Sequence, residues 1–214
     1  MFEAKSNMIK QQIRTVGVTN EKIMHLLERV DRKYFVPKNC EDLAYAETAL
    51  PLPHDEEMLS PSVQARILEA LELKQNETVL EIGTGTGFLT AMLASLSHKV
   101  ISVEFHKDIS EIAKKNLNNQ GILNVELMVG NGAAGVKLPE PVDVIVITGA
   151  LPFLPEGFKA LLKPKGRILA ILGNAVVQEV MLLNRKNKQF TTESLFETTT
   201  KVLRRAPEVE RFTF

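Results

Sequence analysis

Apolar positions along this chain fall first at helical spacing, then in short unbroken runs with helical stretches between them. Over residues 6–16, Ile9, Ile13 and Val16 share one face, Asn7 stands at the cap position and Gly17 stops the turn. Asn20 caps a second helix carrying Ile23, Met24, Leu27 and Val30. Residues 38–59 show no sustained period and read as an irregular lid. Ser60-Pro61 then opens a helix with Val63, Ile67, Leu68 and Leu71 facing inward, serine at the cap and proline at the first helical position. Unbroken apolar runs predict strands at 78–82, 99–104, 124–129, 142–148 and 167–172, with helices at 87–96, 107–120 and 155–162 between them and a turn at 163–166. Such alternation implies a parallel sheet with helices on both faces. Val176 to Leu183 and Phe190 to Phe196 then form a β-hairpin, and the tail from Arg204 to Phe214 docks loosely. The expected architecture is a single Rossmann-like, doubly wound α/β domain: helical lid extension 1–59, core 60–175, C-terminal antiparallel hairpin and tail 176–214.

Within the core, the run at 79–82 breaks into Gly83-Thr84-Gly85-Thr86-Gly87 before a helix resumes at Phe88. Strand, glycine loop and helix make a nucleotide-binding arrangement, because glycines allow a tight turn and close ligand approach while the helix start offers unpaired N–H groups. Glu104 ends the next strand, where a carboxylate can take ribose hydroxyls. Dinucleotide binders want G-x-G-x-x-G, but position 88 is Phe. The observed G-x-G-x-G, preceded by the acid Glu81, resembles motif I of class I S-adenosylmethionine methyltransferases. Sheets of this kind bind ligands beyond their C-terminal strand ends. That edge collects the glycine loop, Glu104 with the following Phe105, Asn131-Gly132, and Thr148 to Leu151.

Composition narrows the picture. The chain has 214 residues, 44% of them hydrophobic, and a formal net charge of zero, so no whole-molecule field recommends nucleic acid or an anionic membrane. Cys40 is the single cysteine, which suits a reducing, cytoplasmic compartment. His25, His54, His98 and His106 lack metal-ligand spacing, so no metal is expected. No secretory signal or membrane-spanning run is read.

The stretch MIKQQIRTVGVTNEKIMHLLERVDRKYFVPKNCEDLAYAETALPLP, followed by LELKQNETVLEIGTGTGFLTAMLA, VISVE, NVELMVGNG and VDVIVITGALPFLPEGFKALLKPKGRIL, resembles the protein-L-isoaspartate O-methyltransferase family from Met8 to Gly173. FVP followed by LAYAE belongs to that family's own N-terminal extension. The resemblance implies S-adenosylmethionine as cofactor and isoaspartyl-containing proteins or peptides as partners, with the chain acting as a monomer. The α-carboxylate of the damaged residue is methyl-esterified, and the ester re-closes to a succinimide, giving repair. By position, Glu81, Gly83, Thr84, Gly85, Thr86, Gly87, Glu104, Phe105, Asn131, Gly132 and Thr148 are the implied cofactor residues. The family's G-D-G is here Gly130-Asn131-Gly132, and its T-A-A-P run is Thr148-Gly149-Ala150-Leu151.

One loop departs from the family pattern. P-I-G-x-G-Q-T-I-S-Q-P becomes Pro51-Leu52-Pro53-His54-Asp55-Glu56-Glu57-Met58-Leu59-Ser60-Pro61, so threonine is replaced by Glu57 and the family serine by Leu59. Glu57, Met58, Leu59 and Leu151 form the implied acceptor loop, and Ser60 is the candidate replacement hydroxyl, although its plainer reading is a helix cap. A carboxylate at 57 repels an anionic acceptor by about 1 kcal/mol in a wet site and several in a dry one. Either the loop turns Glu57 away, or the acceptor is not isoaspartate. The remaining readings are a methyltransferase with another acceptor, a non-catalytic binder of the same cofactor, and, against the glycine spacing, a nicotinamide enzyme. Run 55–57 is otherwise a solvated loop, and Cys40 a small buried hydrophobe.

Overall fold

The computed structural model describes residues 2–174 and 177–208. The N-terminal helix starts earlier than its apolar period suggests, as α1 (Phe2–Asn7), and continues as a wide turn over Met8–Ile13 and a tight one over Arg14–Val16. Asn7 therefore lies inside the helical path and caps nothing; Gly17, at φ +91, ends it. Asn20 does cap α2 (Glu21–Arg29), its side chain accepting the Lys22 N–H at 3.0 Å. The expected irregular lid holds one short antiparallel ladder, β1 (Leu50–Pro51) with β2 (Glu57–Met58).

Ser60 occupies the cap position of α3 (Pro61–Leu71), but its side chain makes no capping bond. Glu47 does that work from outside the helix, accepting both the Ser62 N–H (3.2 Å) and the Ser62 hydroxyl (2.5 Å). A carboxylate there also meets the positive end of the helix dipole.

The core elements follow as β3 (Thr78–Ile82), α4 (Phe88–Leu96), β4 (Lys99–Glu104), α5 (Lys107–Asn119), β5 (Val125–Val129), β6 (Val142–Leu151), α6 (Glu156–Ala160) and β7 (Leu162–Gly173). They are completed by β8 (Gln178–Lys186) and β9 (Gln189–Thr198). One sheet runs β5-β4-β3-β6-β7-β8-β9, parallel through β7 and antiparallel beyond it. This is a Rossmann-like, doubly wound α/β arrangement with an antiparallel hairpin at one edge. The hairpin is longer than its apolar pattern suggests, because Asn187 adopts φ +59 and turns the chain tightly. Its expected start at Val176 and the tail beyond residue 208 lie outside the described residues.

Alternation along the central strands shows why the runs are unbroken. Val79, Val144 and Val146 face one core, with α3, α4 and the N-terminal helices. Leu80, Ile145 and Ile147 face a second, with Phe158 of α6. Both faces are buried, so no polar period survives. The second face carries only one five-residue helix, and the segment at 130–141, broken by Gly130, Gly132, Gly135, Pro139 and Pro141, crosses it without helix.

One buried cation joins the lid extension to this core. Arg32 is 1% exposed, donates to the Leu59 carbonyl at 2.8 Å and to the Gln64 amide oxygen, and stands 5.3 Å from the Phe88 ring centroid. Burial pushes its guanidinium down to about 9, with Glu47 opposing. Removing it strands two buried acceptors. Arg32→Ala is expected to lower unfolding free energy by about 2–4 kcal/mol, read as a shifted urea midpoint with unchanged slope.

Candidate functional site

The strand order switches between β3 and β6, and the glycine loop that follows β3 lies at that edge of the sheet, beside the end of β4. Gly83 (φ +98) anchors it, donating its N–H to the Val103 carbonyl at 2.9 Å. A Cβ at Gly83 would stand 2.3 Å from the Thr148 hydroxyl, which reaches the carbonyls of Ile82 and Gly83, each at 2.9 Å. No side chain fits there. Gly87 (φ +90) serves packing instead: a Cβ would press on Leu117 and Ala113 of α5 at 3.3 and 3.4 Å.

Glu104 closes the loop from β4. It is 6% exposed, and its two oxygens accept the Gly85 N–H at 2.9 Å and the His106 N–H at 3.0 Å. Burial raises its pKa, opposed by those two N–H groups. Glu104, Gly83, Gly85, Phe105, Asn131, Gly132, Thr148 and Glu57 line one open cavity. The Asn131 amide oxygen accepts the Ala133 N–H at 3.1 Å, which holds that side chain at the cavity edge. A second, smaller, adjoining cavity is lined by Thr84, Thr86, Met58 and Leu59, and shares Gly83, Gly85, Thr148 and Glu57 with the first.

Four candidates line neither cavity. Ser60 is one, and Gly87 is another. Leu151 is fully buried in β6. Glu81 is fully buried behind the loop, accepting from the hydroxyls of Thr90 and Ser102 at 2.6 Å each, while Ser102 also bonds Thr84 at 2.6 Å. Glu81 supports the loop through this network and touches no cavity. Its other oxygen is buried with no hydrogen-bond partner among the described residues, and burial pushes its pKa up to about 7.

The roof of the first cavity comes from a part of the chain that periodicity leaves unmarked. Thr200, Lys201, Leu203 and Arg204, just after β9, line it together with Leu52 and Glu56. The Lys201 ammonium meets Asp55 at 2.8 Å, the Lys201 N–H meets Glu57 at 3.1 Å, and the Arg204 guanidinium meets Glu56 at 2.7 Å and the His54 carbonyl. Run 55–57 is thus an ion-paired strap, solvent-exposed at Asp55 and half-buried at Glu56 and Glu57; its sequence signal is charge complementary to Lys201 and Arg204. Arg204 is ion-paired to the strap, where a loosely docked tail is expected. The histidines are also less scattered than their spacing suggests: His54 and His106 stack with centroids 4.2 Å apart, and His54 Nε2 lies 2.8 Å from Asp108.

A family model described as protein-L-isoaspartate(D-aspartate) O-methyltransferase matches residues 3–202. The protein-L-isoaspartate O-methyltransferase of Methanoculleus marisnigri is 35% identical over 188 residues, 88% of this chain and 86% of that protein. That of Dictyoglomus turgidum is 34% identical over 194 residues, covering 91% and 88%. A solved protein-L-isoaspartate O-methyltransferase superimposes with TM-score 0.78 at 27% identity, over 92% of this chain and 65% of its own. A Plasmodium falciparum structure, solved with S-adenosyl-L-homocysteine, shares the fold with TM-score 0.80 at 21% identity, over 94% of this chain and 98% of its own.

Because the folded-state pKa of Glu81 is raised above its ordinary value of 4.5, the native state holds that proton more tightly than the unfolded chain. Stability from this group is complete below about pH 4.5 and is lost as pH rises through about 7. Between pH 5 and 8 the wild type is expected to lose on the order of 2 kcal/mol through Glu81. Urea unfolding of Glu81→Gln across that range should show the slope reduced by that amount.

Proposed function

The chain belongs to the protein-L-isoaspartate(D-aspartate) O-methyltransferase family, and from that premise we propose that it esterifies isoaspartyl α-carboxylates in damaged proteins and peptides, with S-adenosylmethionine as methyl donor. The observation that carries this reading is Glu104 at the mouth of the glycine loop. Each of its oxygens takes one backbone N–H and keeps a further lone pair, so vicinal ribose hydroxyls can both donate to it. The Asn131 amide oxygen likewise keeps one lone pair for an adenine amine. Gly83, Gly85 and Thr148 border both cavities, so a nucleoside in the larger one can extend its amino-acid tail into the smaller. The donor-binding residues fit the group.

When bound, the donor supplies an activated methyl carbon that passes to a carboxylate oxygen, leaving a neutral thioether. The acceptor carboxyl, with a pKa of about 3.5, is already ionised at neutral pH. No general base is needed, and the protein contributes alignment and exclusion of water. The acidic strap is compatible with such an acceptor because each of its carboxylates is engaged: Asp55 by Lys201, Glu56 by Arg204, Glu57 by a backbone N–H. With Leu59 buried at the family's serine position and Ser60 outside both cavities, one positioning hydroxyl is missing. That loss corresponds to about 1–3 kcal/mol, so turnover is slowed and not abolished. The reading also has the chain working as a cytoplasmic monomer on protein and not on nucleic acid. Its support is a net charge of zero, one buried cysteine and, among the described residues, no helix long and apolar enough to cross a membrane.

Incubated with labelled donor, the purified protein should esterify an isoaspartyl peptide and leave its normal aspartyl isomer unlabelled. Donor binding without ester on any isoaspartyl peptide would overturn the acceptor assignment; labelling of other proteins in an extract would then point to a different acceptor. Glu104→Gln should weaken binding of the donor or its demethylated product by roughly 10- to 100-fold in calorimetry.

A further inference from the structure

We propose that His54, His106 and Asp108 form a binding site for a divalent transition-metal ion of the zinc class. The ion would tie the acidic strap to the turn between β4 and α5. None of the three lines the donor cavity, and the inference is independent of the methyl acceptor.

Two imidazoles and one carboxylate are a donor set that zinc, cobalt and nickel accept, with water in the remaining position. One donor atom from each residue lies within 4.8 Å of the other two. Tetrahedral zinc spaces its donors about 3.4 Å apart. Closing that difference requires the His54 ring to turn out of its stack on His106, so that both ring planes can meet at the ion; the His54 and Asp108 side chains are 45% and 57% exposed. His54 Nε2 already faces Asp108 at 2.8 Å. A cation takes the place of the proton between them, while the neutral imidazole keeps its single N–H on Nδ1. Neutral imidazole is the ligating form. Glu56, 3.3 Å from His106 Nε2, supplies the carboxylate that orients a ligating ring. Asp108 brings one carboxylate to the site, while the charge of Glu56 is already met by the Arg204 guanidinium.

The test is titration of the chelator-treated protein with zinc chloride by calorimetry and with cobalt chloride by visible absorption. One equivalent should bind, and bound cobalt should show the intense visible bands of a low-coordinate site. His54→Gln and Asp108→Asn should each weaken binding at least about tenfold. Zinc should raise the melting temperature of the wild type and leave that of the double variant unmoved. Both substituted side chains are exposed, and circular dichroism of the metal-free variants verifies that they fold. Absence of binding, or affinity and melting shift retained in both variants, overturns the site.

Discussion

Two backbone N–H groups meet one buried carboxylate at the centre of this protein, and the shape of the glycine loop depends on that contact. Glu104 fixes the tip of the glycine loop through Gly85 and the start of the β4–α5 turn through His106. Both partners are backbone, so the carboxylate is positioned without any other side chain being consumed. The geometry requires Gly83 and Gly85 at positive φ, and at Gly83 it also requires the absence of a Cβ. Behind the loop, Glu81, Thr90, Ser102 and Thr84 form a polar network in an otherwise apolar interior. A partly satisfied buried network of that kind is costly, and its presence directly under the loop couples loop shape to core packing.

Floor and roof of the site are held by different forces. The floor is β3, β4 and β6, buried on both faces. The roof is the strap at 53–58 lying against residues 200–204, joined by ion pairs that are largely solvent-exposed. Individual exposed pairs contribute about 0–1 kcal/mol and are screened by salt. The roof is further tied to β6 by paired backbone bonds, Ala150 N–H to the Lys201 carbonyl and Leu203 N–H to the Ala150 carbonyl, each 2.9 Å. The cavity thus has a firmly packed floor and a more weakly strapped roof.

Divergence of the acceptor loop follows the same division. Its two family glycines are replaced by Pro53 and Asp55, and Asp55 still adopts φ +59, beside His54 at φ +62. Left-handed backbone without glycine is unfavourable unless surrounding contacts hold it. Here Asp108 holds His54, Lys201 holds Asp55, and Arg204 holds the following Glu56. Charge pairing has taken over a conformation that the family pattern assigns to glycine.

The chain by itself determined the strands, the glycine loop and the placement of Glu104, because each is written in local period or short spacing. Two-sided burial leaves unbroken apolar runs, and a nucleotide mouth needs glycines at a strand end with an acid on the next strand. The resemblance to a known family rested on those same segments. Tertiary structure alone decided which motif residues reach a cavity: Glu81 and Gly87 lie within the motif yet serve packing, and Ser60 begins its helix without entering the site. It also decided that Arg32 is buried, that Glu47 caps α3, and that residues 55–57 close onto Lys201 and Arg204. Contacts between single polar side chains roughly 15 to 150 positions apart carry no period, and their energy exists only once the backbone has brought them together.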